Sequence, residues 1–465
     1  MIKPDFSVSV PQNLGHLHFI GIGGSGMSGL ARLAVGQGHQ VSGSDVRDGP
    51  NIQQLLRLGV RISIGHEAKN IIGADTVVVT SALWPNNPEL LAARSAGIPV
   101  IHRSQLLSHY ASRGRLVAVA GAHGKTTSTG MLITALERLG ADPSWVSGGV
   151  LNEFQVSAKF GQGELFVIEA DESDSSFLHY DTNIVLVTNV DPDHLDHFGS
   201  LEAFESEFRK FAESASEFVV ISADDPGAAR VRSGLSHARV ITFGEAEGSD
   251  VRLSEIDSTG SRVRGVVSHS VESVFFEILI PGTHKSWNAA GAIAVLLGLG
   301  YPLRVAAEAV ADYSGSERRF EKHGDVRGVY VYDDFAHHPA EVRAALLAAR
   351  AVVSGGRLIT VFQPHLYSRT RLFADEFAEA LSLSDEVVVT AIYGAREDPE
   401  PGVTGLLIAD SPAGAGRFRY VPEWSDVPAA ASALAKPGDF IITMGCGDIF
   451  KMVPDLLAAL ESGAR

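Results

Sequence analysis

The chain has 465 residues, too many for one ordinary hydrophobic core, so roughly two to four domains are expected. Its 45% hydrophobic and 20% charged residues are those of a globular protein, and a formal net charge of −17 argues against non-specific nucleic-acid binding. The lone cysteine, Cys446, excludes an intrachain disulfide and a cysteine-built zinc site, and no apolar run approaches the roughly 18–20 residues of a membrane span.

The opening MIKPDFSVSVPQNLG lacks the apolar core of a signal peptide. A cytoplasmic protein with a loose leader over residues 1–14 is expected. Strand Leu17–Ile22 then runs into Gly21-Ile22-Gly23-Gly24-Ser25-Gly26, a G-x-G-x-x-G turn that opens a helix. A second strand ends at Asp45, nineteen positions past Gly26. That spacing is the one by which a dinucleotide fold places a diphosphate on a helix N-terminus and a carboxylate on a ribose. The turn does not name the nucleoside; NAD and a UDP-sugar both fit. Further strands are expected at Arg61–Ile64, Thr76–Thr80 and Pro99–Ile101. Their C-terminal ends deliver His66, Thr80-Ser81 and His102-Arg103 to one crevice if the sheet is parallel. Each alone is an ordinary loop residue; together they outline a binding edge. This first region is bounded at residues 1–112.

The second region, 113–314, is organised by Leu116–Thr127, LVAVAGAHGKTT. An apolar strand breaks into Gly121-Ala122-His123-Gly124, followed by Lys125, Thr126 and Thr127 and an amphipathic helix to about Leu139. Glycines let backbone N–H groups approach phosphates, the helix N-terminus favours negative charge, lysine adds a point charge, and a threonine hydroxyl can hold Mg²⁺. The match to a Walker A loop is incomplete, because Val119 stands where its first glycine would be. Strand Leu165–Ile168 ends in Glu169, with Asp171, Glu172 and Asp174 close behind. Strand Ile184–Thr188 ends in Asn189-Val190-Asp191-Pro192-Asp193-His194. In a parallel sheet these ends bring Glu169 and His194 beside Thr126, where Thr126 and Glu169 suit a hard cation and His194 suits it less well. Residues 251–280 read as antiparallel strands. An alanine-rich helix from Ala289 to about Leu299 follows, with Asn288 at its start. Asn288 either caps that helix or meets an adenine edge, and physics alone favours the cap.

The third region, 315–465, begins after Ser314-Gly315-Ser316, which reads as a hinge. Arg318 and Arg319 lie just past it, either salt-bridged or reaching transferring phosphates. Strands Val329–Tyr332, Leu358–Phe362, Glu386–Thr390 and Phe440–Met444 alternate with helices, and polar residues gather at their ends: Asp333, Asp334, His337, His338, Arg369, Tyr393 and Asp448. His337 and His338 make a poor metal pair, because adjacent side chains diverge.

Across the chain the motifs GIGGSGMSG, GAHGKTT, EADESDSSFL, NVDPDHLDHF, ERRFE, DDFAHHPAE, FQPHLYSRT and GCGDIF occur in order from Gly21 to Phe450. Together they resemble the Mur ligase family. The resemblance implies an α/β fold of three domains: an N-terminal Rossmann-like domain holding UDP, a central P-loop ATPase-type parallel sheet with extra antiparallel strands, and a C-terminal Rossmann-like domain that closes over ATP and an amino acid. It implies that ATP and Mg²⁺ are used to join L-alanine to the lactyl carboxylate of UDP-N-acetylmuramate through an acyl phosphate, with a monomer or weak homodimer and neither nucleic acid nor membrane as partner.

By the same resemblance Gly23 to Met27, Asp45, His66, Ser81 and Arg103 hold the UDP-sugar. Gly121 to Thr127 hold the ATP phosphates, with Lys125 on the γ-phosphate. Thr126 and Glu169 bind one metal and His194 helps at a second. Asn288 meets adenine, Asp334 the ribose and Arg319 the phosphates, while His337 and Arg369 lie near the amino acid. His194 or His337 could take the amine proton. Phe335, Leu366 and Lys285 replace a commonly found Tyr, Arg and Asn; the first two weaken the case for L-alanine in particular. The alternatives are a ligase that attaches a recycled tripeptide to the same UDP-sugar, an NAD-dependent oxidoreductase built on the first turn, and a nucleotide-switch protein built on the second.

Overall fold

The computed structural model describes residues 9–172, 175–191, 198, 200–237, 239–353, 355–395, 397–414 and 416–462. These form three sheets, each carrying one of the three α/β domains. The first sheet has the order β3-β2-β1-β4-β5, built from β1 (Leu17–Ile20), β2 (Val41–Asp45), β3 (Arg61–Ile64), β4 (Thr76–Val79) and β5 (Val100–His102). Every pairing in it is parallel. β1 and β4 are neighbours though far apart in sequence, so the strand order reverses between them, and such a switch point opens a crevice beyond the strands' C-terminal ends. Glycine turn 21–26, Ser81 and Arg103 follow those ends, and Asp45 is the last residue of β2. Leu14 is 2% exposed and part of the core, so it does not belong to a loose leader as expected; the segment 1–8 lies outside the described residues.

The central sheet has ten strands in the order β15-β14-β13-β12-β11-β10-β6-β9-β7-β8. They are β6 (Arg115–Ala120), β7 (Ser144–Leu151), β8 (Val156–Lys159), β9 (Leu165–Glu169), β10 (Ile184–Val187), β11 (Phe218–Ser222), β12 (Val240–Gly244), β13 (Val251–Thr259), β14 (Arg262–His269) and β15 (Glu272–Ile278). β6 lies mid-sheet, parallel to β9 and β10, and all but its first residue are buried, as expected of a continuous apolar run under two helical layers. β7 and β8 form an antiparallel hairpin that the sequence reading did not single out. Helix Ser25–Gly36 packs on it: a Cβ at Gly29 would lie 3.5 Å from Ala158 and 3.6 Å from Val146, ordinary contact for close-packed surfaces. One apolar core therefore runs from the first sheet into the central one, through Leu30, Val146, Ala158 and Phe166.

The third sheet has the order β16-β17-β21-β18-β19-β20, from β16 (Arg319–Val326), β17 (Val329–Asp334), β18 (Leu358–Phe362), β19 (Glu386–Val389), β20 (Phe418–Tyr420) and β21 (Phe440–Met444). All its pairs are parallel except the edge pair β16–β17. The chain divides into two compact units. The first holds residues 1–254, 266–276 and 287–313, and the second holds 255–265, 277–286 and 314–465. The second unit thus takes parts of β13, β14 and β15, together with the opening turn of helix His284–Gly298. Among the described residues no helix is long and apolar enough to cross a membrane.

Candidate active site

In the first unit the glycine turn after β1 is locked by its neighbours. The N–H groups of Gly21 and Ile22 both donate to the Ser44 carbonyl, at 2.8 and 3.0 Å. The Gly23 N–H donates to Asp45 Oδ2 at 2.9 Å, so this carboxylate braces the turn itself. Helix Ser25–Gly36 begins at Gly24 with no side-chain cap, which leaves its N-terminal donors facing the crevice. Met27 is 2% exposed in the core, so its backbone rather than its thioether is what it can present. His66 Nδ1 sits 3.0 Å from Ser44 Oγ and 3.4 Å from Glu89 Oε1, and Glu89 is fully buried. Ser81 Oγ is 2.9 Å from His102 Nε2. The Arg103 guanidinium donates to Asp171 Oδ2 at 2.9 Å, and a Cβ placed on Gly26 would lie 3.6 Å from Arg103 Nη1.

The second glycine turn follows β6 and is also open at a helix N-terminus. Gly124 precedes helix Lys125–Arg138 at φ +80° and supplies no side-chain cap. Glycine is required there for two reasons: the backbone is left-handed, and a Cβ would come within 2.4 Å of Asn288 Oδ1. Gly121, at φ +142°, is equally constrained by the Thr188 hydroxyl. The His123 N–H donates to Asn189 Oδ1 at 2.8 Å, and its Nε2 lies 3.1 Å from Asp191 Oδ2. Ala122 is buried behind the turn, and Thr127 is 3% exposed at the helix start.

The Lys125 ammonium folds back onto this turn. It donates to the carbonyls of Gly121 at 2.5 Å and Ala122 at 3.2 Å, and to Glu172 Oε1 at 2.7 Å. The Glu172 side chain is 2% exposed, and its Oε2 is buried without a hydrogen-bond partner among the described residues. Burial pushes the Glu172 carboxyl up to about 7, against the pull of Lys125. For Lys125 burial is the largest single influence and lowers its pKa. Glu172, Glu169 and Asp171 together outweigh it, so the ammonium is held above its ordinary value. The Thr126 hydroxyl donates to Glu169 Oε1 at 3.2 Å, while Glu169 Oε2 accepts the Gly148 N–H at 2.9 Å. Thr126 and Glu169 thus present hard oxygen donors beside the second glycine turn, a set that fits Mg²⁺. His194 lies outside the described residues.

Asn288 does not cap its helix. That helix starts at His284, so Asn288 stands inside it, with Oδ1 accepting from Ser128 Oγ at 3.3 Å and facing Gly124. The cap expectation fails because the Gly282-Thr283 turn already starts the helix: the Lys285 N–H donates to the Gly282 carbonyl at 2.9 Å, and the Ser286 N–H to that of Thr283 at 2.9 Å.

In the second unit the two adjacent arginines differ. Arg318 donates to Asp333 Oδ2 at 2.9 Å and to the carbonyls of Gly445 at 2.5 Å and Gly447 at 3.3 Å, with its guanidinium over Phe335 and Phe450. It ties three loops together. Arg319 lies over the other approach to Phe335, 5.1 Å from the ring centroid. Its neighbours Arg318 and Phe320 have φ of +60° and +61°, and the β16–β17 register shifts between Arg319 and Glu321. Two left-handed non-glycine residues flanking one arginine store strain at the place where its side chain is aimed. Asp334 accepts the Phe320 N–H on Oδ2 and the Ala336 N–H on Oδ1, both at 2.8 Å. Burial raises its pKa, partly offset by Arg319 and Lys285. His337 Nδ1 is 3.2 Å from Glu341, and its ring stands edge-on to His365 with centroids 6.0 Å apart. Arg369 is 9% exposed in helix Tyr367–Leu372.

The sequence reading missed the particular parts of Glu172 and Arg318. Glu172 is one of three acids that follow β9 in the sequence, and which one reaches Lys125 depends on the turn after the strand. Arg318 and Arg319 are indistinguishable until the bulge sets them apart.

Three family profiles match: Mur ligase family, catalytic domain, over residues 16–115; Mur ligase middle domain, over 119–296; and Mur ligase, glutamate ligase domain, over 318–447. UDP-N-acetylmuramate–L-alanine ligase of Clavibacter michiganensis subsp. michiganensis is 53% identical over 465 residues, covering 100% of this chain and 97% of the relative. Among solved structures, UDP-N-acetylmuramate–alanine ligase from Thermotoga maritima superposes with a TM-score of 0.84 at 29% identity, covering 97% of this chain and 100% of that one. A murein peptide ligase from Psychrobacter arcticus gives a TM-score of 0.75 at 26% identity, with coverages of 97% and 100%.

Proposed function

The chain belongs to the Mur ligase family, and from that premise we propose that it is an ATP-dependent ligase joining L-alanine to the lactyl carboxylate of UDP-N-acetylmuramate, a step of peptidoglycan precursor synthesis. The observation that carries this reading is the pairing of two open helix N-termini in one unit, one behind a G-x-G-x-x-G turn and one behind GAHGKTT with Lys125, Thr126 and Glu169 around it. An oxidoreductase has no use for the second turn and a nucleotide switch none for the first. Identity of 53% over the whole chain, against 26% for the murein peptide ligase, favours L-alanine over a recycled tripeptide.

A carboxylate resists an amine because oxide cannot leave. In the proposed reaction a lactyl oxygen attacks the γ-phosphorus of ATP, the bond to the bridging oxygen breaks, and ADP departs. The acyl phosphate so formed has phosphate as its leaving group. The amine of L-alanine adds to the carbonyl carbon and loses a proton, and collapse of the tetrahedral oxyanion expels phosphate. Phosphoryl transfer asks for positioning and charge neutralisation rather than covalent help. Gly121 to Thr127 supply N–H groups and Lys125 a charge; Arg319 is proposed to supply a second charge. Thr126 and Glu169, with His194, are proposed to hold Mg²⁺, which when bound neutralises phosphate oxygens. Asn288 is proposed for adenine and Asp334 for ribose. Gly23 to Met27, Asp45, His66, Ser81 and Arg103 are proposed for the UDP-sugar, and His337 and Arg369 for the amino acid. Glu341 orients the His337 ring, and His337 or His194 takes the proton.

Domain borders at 112/113 and 314/315, a cytoplasmic location where ATP and nucleotide sugars meet, and action as a monomer or weak homodimer complete the reading. Its test is phosphate release from Mg²⁺ and ATP across L-Ala, Gly, L-Ser, D-Glu and the tripeptide, with and without UDP-N-acetylmuramate. Release that needs both the UDP-sugar and L-Ala is expected. Release with the tripeptide alone would move the assignment to the recycling ligase.

A further inference from the structure

Two neighbouring acids, Asp171 and Glu172, each hold a cation that lies at a different glycine turn. Asp171 Oδ2 takes Arg103 at 2.9 Å, and Arg103 lies against Gly26 of the first turn. Glu172 Oε1 takes Lys125 of the second turn at 2.7 Å. The segment that carries them is fixed at its base, where the Ala170 N–H donates to the Val119 carbonyl at 2.8 Å. All three donors of the Lys125 ammonium are engaged within the protein, by Gly121, Ala122 and Glu172. A phosphate can reach that ammonium only by displacing one of them. Glu172 offers the weakest resistance: it is a buried carboxyl whose second oxygen has no hydrogen-bond partner among the described residues, and as an acid it can accept a proton in exchange, which a carbonyl cannot.

We propose that the Asp171-Glu172 dipeptide is a positioning element that couples the two nucleotide sites, so that filling one makes the other bind more tightly. The reasoning rests on the function proposed above. Two ion pairs on adjacent residues of one short segment order each other; loss of either loosens the segment and weakens its hold on the other cation. The first anion to bind bears most of the cost of the rearrangement, and the second bears less, which is positive coupling. By reciprocity the UDP-sugar must sharpen nucleotide binding by the same factor.

The experiment is calorimetric titration of the full chain with UDP-N-acetylmuramate, with and without saturating Mg²⁺ and the non-hydrolysable analogue AMP-PNP, and the reverse titration. The expected coupling factor is about fivefold or more in both directions. In Asp171→Asn the factor falls to about one while each ligand still binds alone, and Asp171→Glu restores part of it. Glu172→Gln, read the same way, serves if Asp171→Asn does not fold. A coupling factor of one in the wild type, with both ligands binding singly, would overturn the coupling and leave the ligase reading standing. Failure of either ligand to bind even with the other present would overturn both. A merely structural role for Asp171 predicts weaker binding of each ligand with the ratio unchanged, and that result too would overturn the inference.

Discussion

Two lysines are withdrawn from solvent, one in each unit, and their pKa values move in opposite directions. Burial lowers both. At Lys125 the carboxylates of Glu172, Glu169 and Asp171 overcome it, and the ammonium is held above its ordinary value. At Lys285 burial prevails, Asp334 and Glu341 are offset in part by Arg319, and the pKa falls to about 8. The contrast separates two ways of storing positive charge. Lys125 is a compensated charge parked on its own loop, and on the proposed function it is traded to a phosphate. Lys285 is an undercompensated charge whose burial costs the fold, because Arg319 already stands beside Asp334.

The largest effect should come from removing the parked charge. Lys125→Ala is expected to lower turnover by about a thousandfold or more while UDP-sugar binding in the absence of ATP survives, as read by phosphate release and calorimetry. Turnover within tenfold of wild type would take Lys125 out of the chemistry and dissolve the contrast.

The second unit offers its own internal comparison. Arg318→Ala strips the partner from fully buried Asp333 and should cost about 3 kcal/mol of stability, seen as a lower melting temperature. Arg319→Ala should leave melting nearly unchanged and lower kcat by about a hundredfold. Equal effects on melting would mean that the bulge does not divide the two roles.

Gly124→Ala sharpens the comparison from the backbone side. The added Cβ meets Asn288 in a left-handed turn, and a loss of about 1–3 kcal/mol with weakened ATP binding is expected, measurable by chemical denaturation and nucleotide titration.

The smallest effect concerns Lys285. Its folded pKa lies below the unfolded value near 10.5, so between about pH 8 and 10.5 the unfolded chain binds more protons and stability rises with pH. The cost is full below pH 8. Lys285→Met is therefore expected to stabilise by about 1 kcal/mol at pH 7 and to lose that advantage above pH 10.5, in denaturation curves taken at both values. A gain independent of pH would show that packing rather than charge is responsible.

Both glycine turns and most of the strands that lead into the clefts were legible in the sequence, because each couples an apolar run to a backbone demand that few residues meet. The antiparallel edge strand β16 was not. Arg319–Val326 alternates poorly, none of its residues is buried, and its course depends on left-handed Arg318 and Phe320, which no propensity foretells. The hairpin β7–β8 escaped for a related reason: its value lies in packing against helix Ser25–Gly36, a contact between distant parts of the chain. Of the candidate residues, those at strand ends could be named from parallel-sheet logic alone. What each one touches could not. Asp45 braces its own glycine turn, and Asn288 sits within its helix facing Gly124.

The central claim is that the carboxylate of the UDP-sugar is activated by phosphoryl transfer. It is tested most directly by following oxygen. UDP-N-acetylmuramate labelled with ¹⁸O in its lactyl carboxylate, turned over with ATP and L-alanine, should deliver one labelled oxygen into the inorganic phosphate, because the attacking oxygen leaves with phosphorus. Phosphate free of label, with product still formed, would contradict the acyl-phosphate route and with it the use assigned to Lys125 and its cradle.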